Sequence, residues 1–490
     1  MKLSKSKLLA HRQCPKRLYL QVRRPELAQR SEASENRMVQ GHRVGAAAQR
    51  LFPGGRLIAH VDQLQSALKE TRELLAAPGD VTLFEPALRT GDLLVRADIL
   101  ERRGGRYRMI EVKSSTHLKP YHVTDAAIQT WVVRGAGVDV GQVEVAHIDN
   151  RFVYAGDGDY RGLFAHDDVT EAVAPLQEQI PMWIEAAQRD LAGPMPDVAV
   201  GPQCGDPFEC EFLGFCAPTE AEYPVDVLPN SRRLAQRMRD DGITDLRDVP
   251  PENLKSELHQ RIHRVTNSGK PELDPAAAEA LSALGWPRYY VDFETVGPAV
   301  PMWAGTRPYQ KIPMQFSCRR QEADGTLAHL PPFLDTSGDD PRRPFAERLV
   351  ATVGDDGPVF VYNIAFEGGV IRQLAELFPD LAPALQRIAA RLADLLPLTR
   401  DHYYHPAMMG SFSIKRVLPT IAPELDYAKL DGVQSGDMVE PVYLEIVDPS
   451  TPPGRRDALR ASLLAYCERD TLAMVALAAH LAGERPASNA

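Results

Sequence analysis

Apolar residues interleaved with polar ones over 93–101 (LLVRADILE) and again over 106–114 (RYRMIEVKS) make two strand-like runs. Gly104-Gly105 lies between them and supplies the turn chemistry of a hairpin. Helical spacing precedes the hairpin, from Ser4 to Gln21 and, in a more polar stretch, around 34–51. After it come an amphipathic helix near 124–136, a strand in VEVAHID, and a long helix over 169–191 that runs into Pro194 and Pro196. The pattern changes from 288 onward. RYYVDFETV and VFVYNIA are apolar runs of the buried-strand kind, and helical segments fill 366–378, 381–393 and 455–482.

Between these regions, 221–287 is polar and mostly helical, with a turn-like GITDLRDVP and a loop at Asn267-Ser-Gly-Lys-Pro. It reads as a helical connector, although GITDL also suits a helix–loop–helix clamp on nucleic acid. The predicted fold class is α/β: two mixed-sheet domains, 1–220 and 288–483, joined by the connector 221–287 and followed by a frayed tail, 484–490.

A length of 490 residues accommodates more than one core, and a net charge of −10 argues against a chain coated in positive charge. Basic residues are concentrated at the front, in Lys2, Lys5, Lys7, Arg12, Lys16, Arg17, Arg23 and Arg24, and read as a solvated face. No apolar run is long enough to span a membrane, and the basic N-terminus lacks the apolar core of a signal peptide, so the expected location is cytoplasmic. Six cysteines are too few for a disulfide scaffold. Cys318 and Cys467 sit in apolar surroundings and read as core. Cys14 stands alone, whereas Cys204, Cys210 and Cys216 cluster. Four thiolates suit either tetrahedral zinc or an iron–sulfur cluster.

Besides the four cysteines, two constellations carry chemistry. Asp98 falls at the end of one hairpin strand, and Glu111 and Lys113 share a face of the other, so pairing through the glycine turn brings the two carboxylates together. Such a pair holds a divalent ion, and a neighbouring lysine can orient or deprotonate water. In the second unit, Asp292 and Glu294 alternate along a strand otherwise built for burial, which is costly unless they are paired or bind metal. Tyr466 and Asp470 lie four apart on one helix face.

With His42 ahead of the hairpin and Gln129 after it, the first set resembles the RecB-like PD-(D/E)XK nucleases of restriction-endonuclease-like fold, especially their iron–sulfur branch. The resemblance implies that Asp98, Glu111 and His42 are metal ligands, that Lys113 and Gln129 are catalytic, and that Cys14, Cys204, Cys210 and Cys216 hold a 4Fe-4S cluster, with zinc as the alternative. Val133 stands where that family often has tyrosine. The second set resembles the tyrosine version of the DEDD exonucleases of RNase H-like, DnaQ-like fold. It implies that Asp292, Glu294, Glu367 and Asp470 hold two magnesium or manganese ions and that Tyr466 orients water. Glu367, in YNIAFE, replaces the usual aspartate; Asp394 is an alternative acid, read as structural. Asn363, Lys415 and Arg416 are expected to contact nucleic acid. The whole chain resembles a bacterial family of fusion proteins with these domains in this order. The implied function is a metal-dependent nuclease acting 3′→5′ in its C-terminal part, with single-stranded DNA the favoured substrate, in repair or defence. The competing reading is a nucleic-acid-binding or scaffold protein in which one or both sites are degenerate.

Overall fold

The computed structural model describes residues 3–29, 32–60, 63–217 and 221–484, with side chains from 36 onward in the helix Glu32–Arg50. Lys2 and the tail from 485 lie outside the described residues. The chain divides into two compact α/β units: Met1–Pro218 with Pro298–Gln310, and Thr219–Gly297 with Lys311–Ala490.

The first unit is organised by a six-stranded sheet in the order Arg56–Leu57, Val81–Phe84, Ile99–Arg103, Arg106–Lys113, Val140–Ile148, Phe164–Asp168. Gly104 and Gly105 both take positive φ (54° and 79°), a conformation glycine adopts freely, and they close the expected hairpin. Arg106–Lys113 then runs parallel to Val140–Ile148, so the connection must cross over. The helix Pro120–Gly135 makes that crossing and buries Ala126, Ala127, Ile128, Val132 and Val133 against the sheet.

The predicted single strand 93–101 is two. Leu93–Arg96 belongs to a separate three-stranded sheet with Leu3–Ser4 and Ala87–Thr90, while Ile99–Arg103 joins the large sheet. The chain changes sheets at Ala97-Asp98, where the Ala97 amide turns to Pro86 O and Asp98 O accepts from the Glu85 amide. The expected 169–191 helix is interrupted as well, into Thr170–Val173, a 3₁₀ turn Ala174–Leu176 and Ile180–Ala192. Pro175 and Pro181 have no N–H to donate, so they sit at the starts of the last two segments.

The second unit carries a five-stranded sheet ordered Leu327–Leu334, Ile312–Gln321, Arg288–Val296, Val359–Val361, Leu392–Asp394. Its first two pairings are antiparallel and its last two parallel. One face buries Phe293, Phe316, Phe345, Leu349 and Ile371. The other buries Tyr290, Phe360, Leu395, Met474 and Leu477. Leu246, Ile262, Val265 and Leu281 enter that second core, so residues read as a separate connector are part of this unit. The expected 381–393 helix stops at Ala389, because 392–394 is needed as the edge strand. VFVYNIA is strand only to Val361, and a helix starts at Ile364.

Gly410 illustrates how tightly this core closes. Its φ is +73°, and an added Cβ would lie 1.6 Å from Val227 O. Gly410→Ala is therefore expected to destabilise the second unit by about 3 kcal/mol, since backbone must shift as well as φ. Urea unfolding of the full chain measures it, and a loss within error of zero would show that the loop relaxes freely.

Candidate functional sites

In the first unit, Ile99 pairs with Ile110, so Asp98 falls beside Glu111 where the hairpin opens. Asp98 Oδ2 accepts from the Val112 amide at 2.6 Å. Burial, then the Glu111 charge, pushes the Asp98 carboxyl well above the usual range. Glu111, 2% exposed, is held from several sides. Lys113 Nζ lies 2.6 Å from Glu111 Oε1, Lys5 Nζ lies 3.1 Å from the same oxygen, and Gln129 donates to Glu111 Oε2. Asp125 completes the ring, 2.5 Å from Lys113 Nζ and 3.0 Å from Lys5 Nζ, with Gln129 Nε2 at 3.2 Å. Burial works against both the Asp125 carboxylate and the Lys5 ammonium, but their mutual attraction wins, lowering the first and raising the second.

Asp98, Glu111, Lys113 and Gln129 thus share one place. His42 is exposed on the helix Glu32–Arg50, and its charge is felt at Glu85, whose own carboxyl is raised chiefly by burial. Val133 is a core residue. Three neighbours went unnoticed in the sequence. Asp125 was detectable, being four residues before Gln129 on the same helix face; Lys5 was grouped with the basic N-terminal run; Glu85 carries no motif signal. Cys14, Cys204, Cys210 and Cys216 line a common small cavity. All four are free, and burial raises the thiols of Cys210 and Cys216.

In the second unit, strand alternation places Phe293 in the core while Asp292 and Glu294 face the helix Pro453–Leu481. That helix presents Cys467, Asp470 and Thr471 from successive turns. Cys467 Sγ is 3.6 Å from Asp292 Oδ2, and Ser317 and Thr471 hydroxyls meet at 2.9 Å. Gln315 Nε2 donates to Leu463 O at 2.8 Å and fixes the helix against the sheet. Ligand oxygens of Asp292, Glu294 and Asp470 consequently lie within 4.8 Å of one another. Among the described residues this is the one group of three or more His, Cys, Asp or Glu at that spacing. The arrangement can coordinate a divalent metal ion through hard oxygen ligands.

The electrostatics match that chemistry. Asp292 and Glu294 are raised well above the carboxylate range, by burial first and then by Asp470. Asp470 is pushed up to about 6 by burial, against hydrogen bonding from Tyr427 and the charge of Lys415. Glu367 lies on the helix Ile364–Leu377 and is pushed up to about 8, mainly by burial. Among the described residues, its buried Oε2 has no hydrogen-bond partner. Glu367 is near enough to Asp292, Glu294 and Asp470 to interact electrostatically but stands outside the tight trio.

Tyr466 is buried, and Lys415 Nζ sits 4.8 Å from its ring centre and 5.3 Å from that of Tyr427. The Tyr427 hydroxyl donates to Asp470 Oδ1 at 2.5 Å, a contact no sequence motif signalled. Arg416 is exposed, as is Asn363, which starts its helix at φ +91°. Asp394 is committed to backbone: it accepts from the amides of Asn363, Ile364 and Leu396 at 2.9–3.0 Å.

No helix among the described residues is long and apolar enough to cross a membrane. A family described as a domain of unknown function, DUF2779, matches residues 289–413, a span that includes Asp292, Glu294 and Glu367 but ends before Tyr466 and Asp470. No curated protein matches the chain.

Proposed function

We propose that the protein is a metal-dependent nuclease whose catalytic centre is Asp292, Glu294 and Asp470, with Glu367 as fourth acid. The observation that carries this reading is the convergence of three carboxylates, Asp470 buried and Asp292 and Glu294 half-buried, from one strand and one helix to within 4.8 Å. The sheet supports it: two antiparallel strands beside a central one, then two parallel strands, is the arrangement expected of an RNase H-like fold. Magnesium or manganese bound there supplies an acidified water and charge neutralisation at the phosphodiester. Tyr466, one helical turn before Asp470, is read as the residue that would orient the attacking water. Lys415 offers a cation for a phosphate oxygen, and Asn363 a polar contact. A 3′→5′ polarity and single-stranded DNA as substrate follow from resemblance to the DEDD exonucleases.

The first unit is read as a RecB-like nuclease site built on Asp98, Glu111 and Lys113, with Gln129 beside them and His42 on the preceding helix as a further ligand. Its four cysteines are read as ligands of a 4Fe-4S cluster, or of zinc, that would join the N-terminal helices to the 202–216 segment. One observation favours a second reading, in which this unit holds nucleic acid without cutting it: Glu111 and Asp125 are already neutralised by Lys5 and Lys113.

End-labelled single- and double-stranded DNA and RNA, with magnesium or manganese, separate these readings. Asp98→Ala with Glu111→Ala should remove one activity, and Asp292→Ala with Glu294→Ala the other. Parent-like cleavage by both double variants would reject the assigned sites. Retained activity in the first alone supports the binding-only reading of that unit. A colourless anaerobic sample with stoichiometric zinc would reject the iron–sulfur assignment.

A further inference from the structure

We propose that a basic groove in the second unit, beside the helix Arg232–Asp240, binds the phosphate backbone of a nucleic-acid strand. The proposal rests on the nuclease reading and adds a second surface by which that unit grips a polymer.

The groove has a volume of ≈ 760 Å³ and is lined by Asp226, Asn230, Arg232, Arg233, Arg237 and His259 among others. Ala235 and Met238 bury the other side of the helix, leaving Arg232, Arg233 and Arg237 exposed. Among the described residues, none of these three arginines has a carboxylate partner. The acid in the lining, Asp226, is paired instead with Arg239. Asn230 adopts φ +55°, and the preceding Pro229 carbonyl bonds His259 Nε2 at 2.8 Å, which fixes the groove's floor.

Three unpaired guanidinium groups on a protein of net charge −10 are a local reversal of sign. Guanidinium forks match phosphate oxygens in geometry as well as charge. An open groove of this size suits a run of phosphates better than one small anion. No phenylalanine, tyrosine or tryptophan is in the lining, and its one ring, His259, is tied to the Pro229 carbonyl, so the groove lacks the large stacking platforms that bases use. The occupant is therefore read by its backbone, and DNA and RNA should bind with little sequence preference.

The test uses the full chain carrying Arg232→Glu, Arg233→Glu and Arg237→Glu, with Arg→Gln at the same positions as a milder variant. Binding of labelled oligothymidylate and oligouridylate is measured by anisotropy in EDTA across a salt series. Hydrolysis of bis(p-nitrophenyl) phosphate with manganese reports the metal site separately, and thermal melting confirms folding. The glutamate variant is expected to lose affinity about 30-fold or more at low salt. The slope of log K against log salt should fall by roughly 2, given about 0.7 per single-strand phosphate contact. Hydrolysis of the small ester should be unchanged, and the glutamine variant should fall between. Equal affinity and slope in parent and folded variants would overturn the groove while leaving the nuclease reading intact. A parent that neither binds polymer nor hydrolyses either substrate would overturn both.

Discussion

Asp292→Asn is expected to silence hydrolysis and, in the absence of metal, to make the second unit harder to unfold. The carboxylate oxygens of Asp292, Glu294 and Asp470 crowd within 4.8 Å, with Glu367 nearby. Charge kept this close is tolerated for what it binds and works against the empty fold. An amide keeps the shape of the side chain but ligates weakly and carries no charge. Turnover should fall about 10³-fold or more, equivalent to at least about 4 kcal/mol of transition-state stabilisation. Urea unfolding in EDTA should show a gain of about 1–3 kcal/mol at neutral pH, from the relieved repulsion. A variant that is both active and less stable would mean that Asp292 is an ordinary structural acid.

The metal-free second unit should also weaken as pH rises from about 4 to about 8. Glu367 is pushed up to about 8 and Asp470 to about 6, while Asp292 and Glu294 are raised well above their ordinary range. Each such acid holds its proton more tightly folded than unfolded. The stability this contributes is complete below the unfolded value and is lost as pH climbs through the folded one. For Glu367 alone the span corresponds to something on the order of 4 kcal/mol. Divalent metal at about 100 times its Kd would return about 2.7 kcal/mol at pH 8. For a unit this size, that is a rise in Tm of roughly 5–10 °C.

In the first unit Asp125 should contribute the opposite trend, set against the raised Asp98 and Glu85 beside it. The Asp125 carboxylate is depressed by Lys5 and Lys113 despite its burial, so its contribution is present above the carboxylate range and is lost in acid. Melting in EDTA at several pH values, followed by metal addition at the highest, measures both trends. A flat or rising profile for the second unit would show that the cluster is hydrated and unstrained.

What the sequence disclosed depended on periodicity. Asp292 and Glu294 were legible because side chains repeat every two residues on a strand, and Tyr466 and Asp470 because they sit one helical turn apart. Glu111 and Lys113 were legible for the first reason, and the Gly104-Gly105 turn fixed their partner strand. Lys5 and Tyr427 were not, because they reach their carboxylates from 106 and 43 residues away and nothing local marks them. The strand 93–101 misled because alternation continues unbroken across Ala97-Asp98 while its hydrogen-bond partners change. The helical stretch 221–287 looked independent because its apolar residues are sparse. Their destination, a core shared with Leu395 and Leu477, is set only when the later chain is in place.

The segment Pro298–Gln310 leaves one unit for the other and returns. Ala299 packs in the first unit's core, Tyr160 donates to Pro301 O, and the Tyr154 amide donates to Thr306 O. No single scission divides this polypeptide into two intact halves. Cutting near residue 218 or 287 strands these thirteen residues with the wrong partner. Expressed separately, an N-terminal fragment would lack part of its own interior, and a C-terminal one would carry an unaccommodated apolar loop. The two units can therefore be gained, lost or exchanged by recombination only with repair at this junction, which ties their inheritance together.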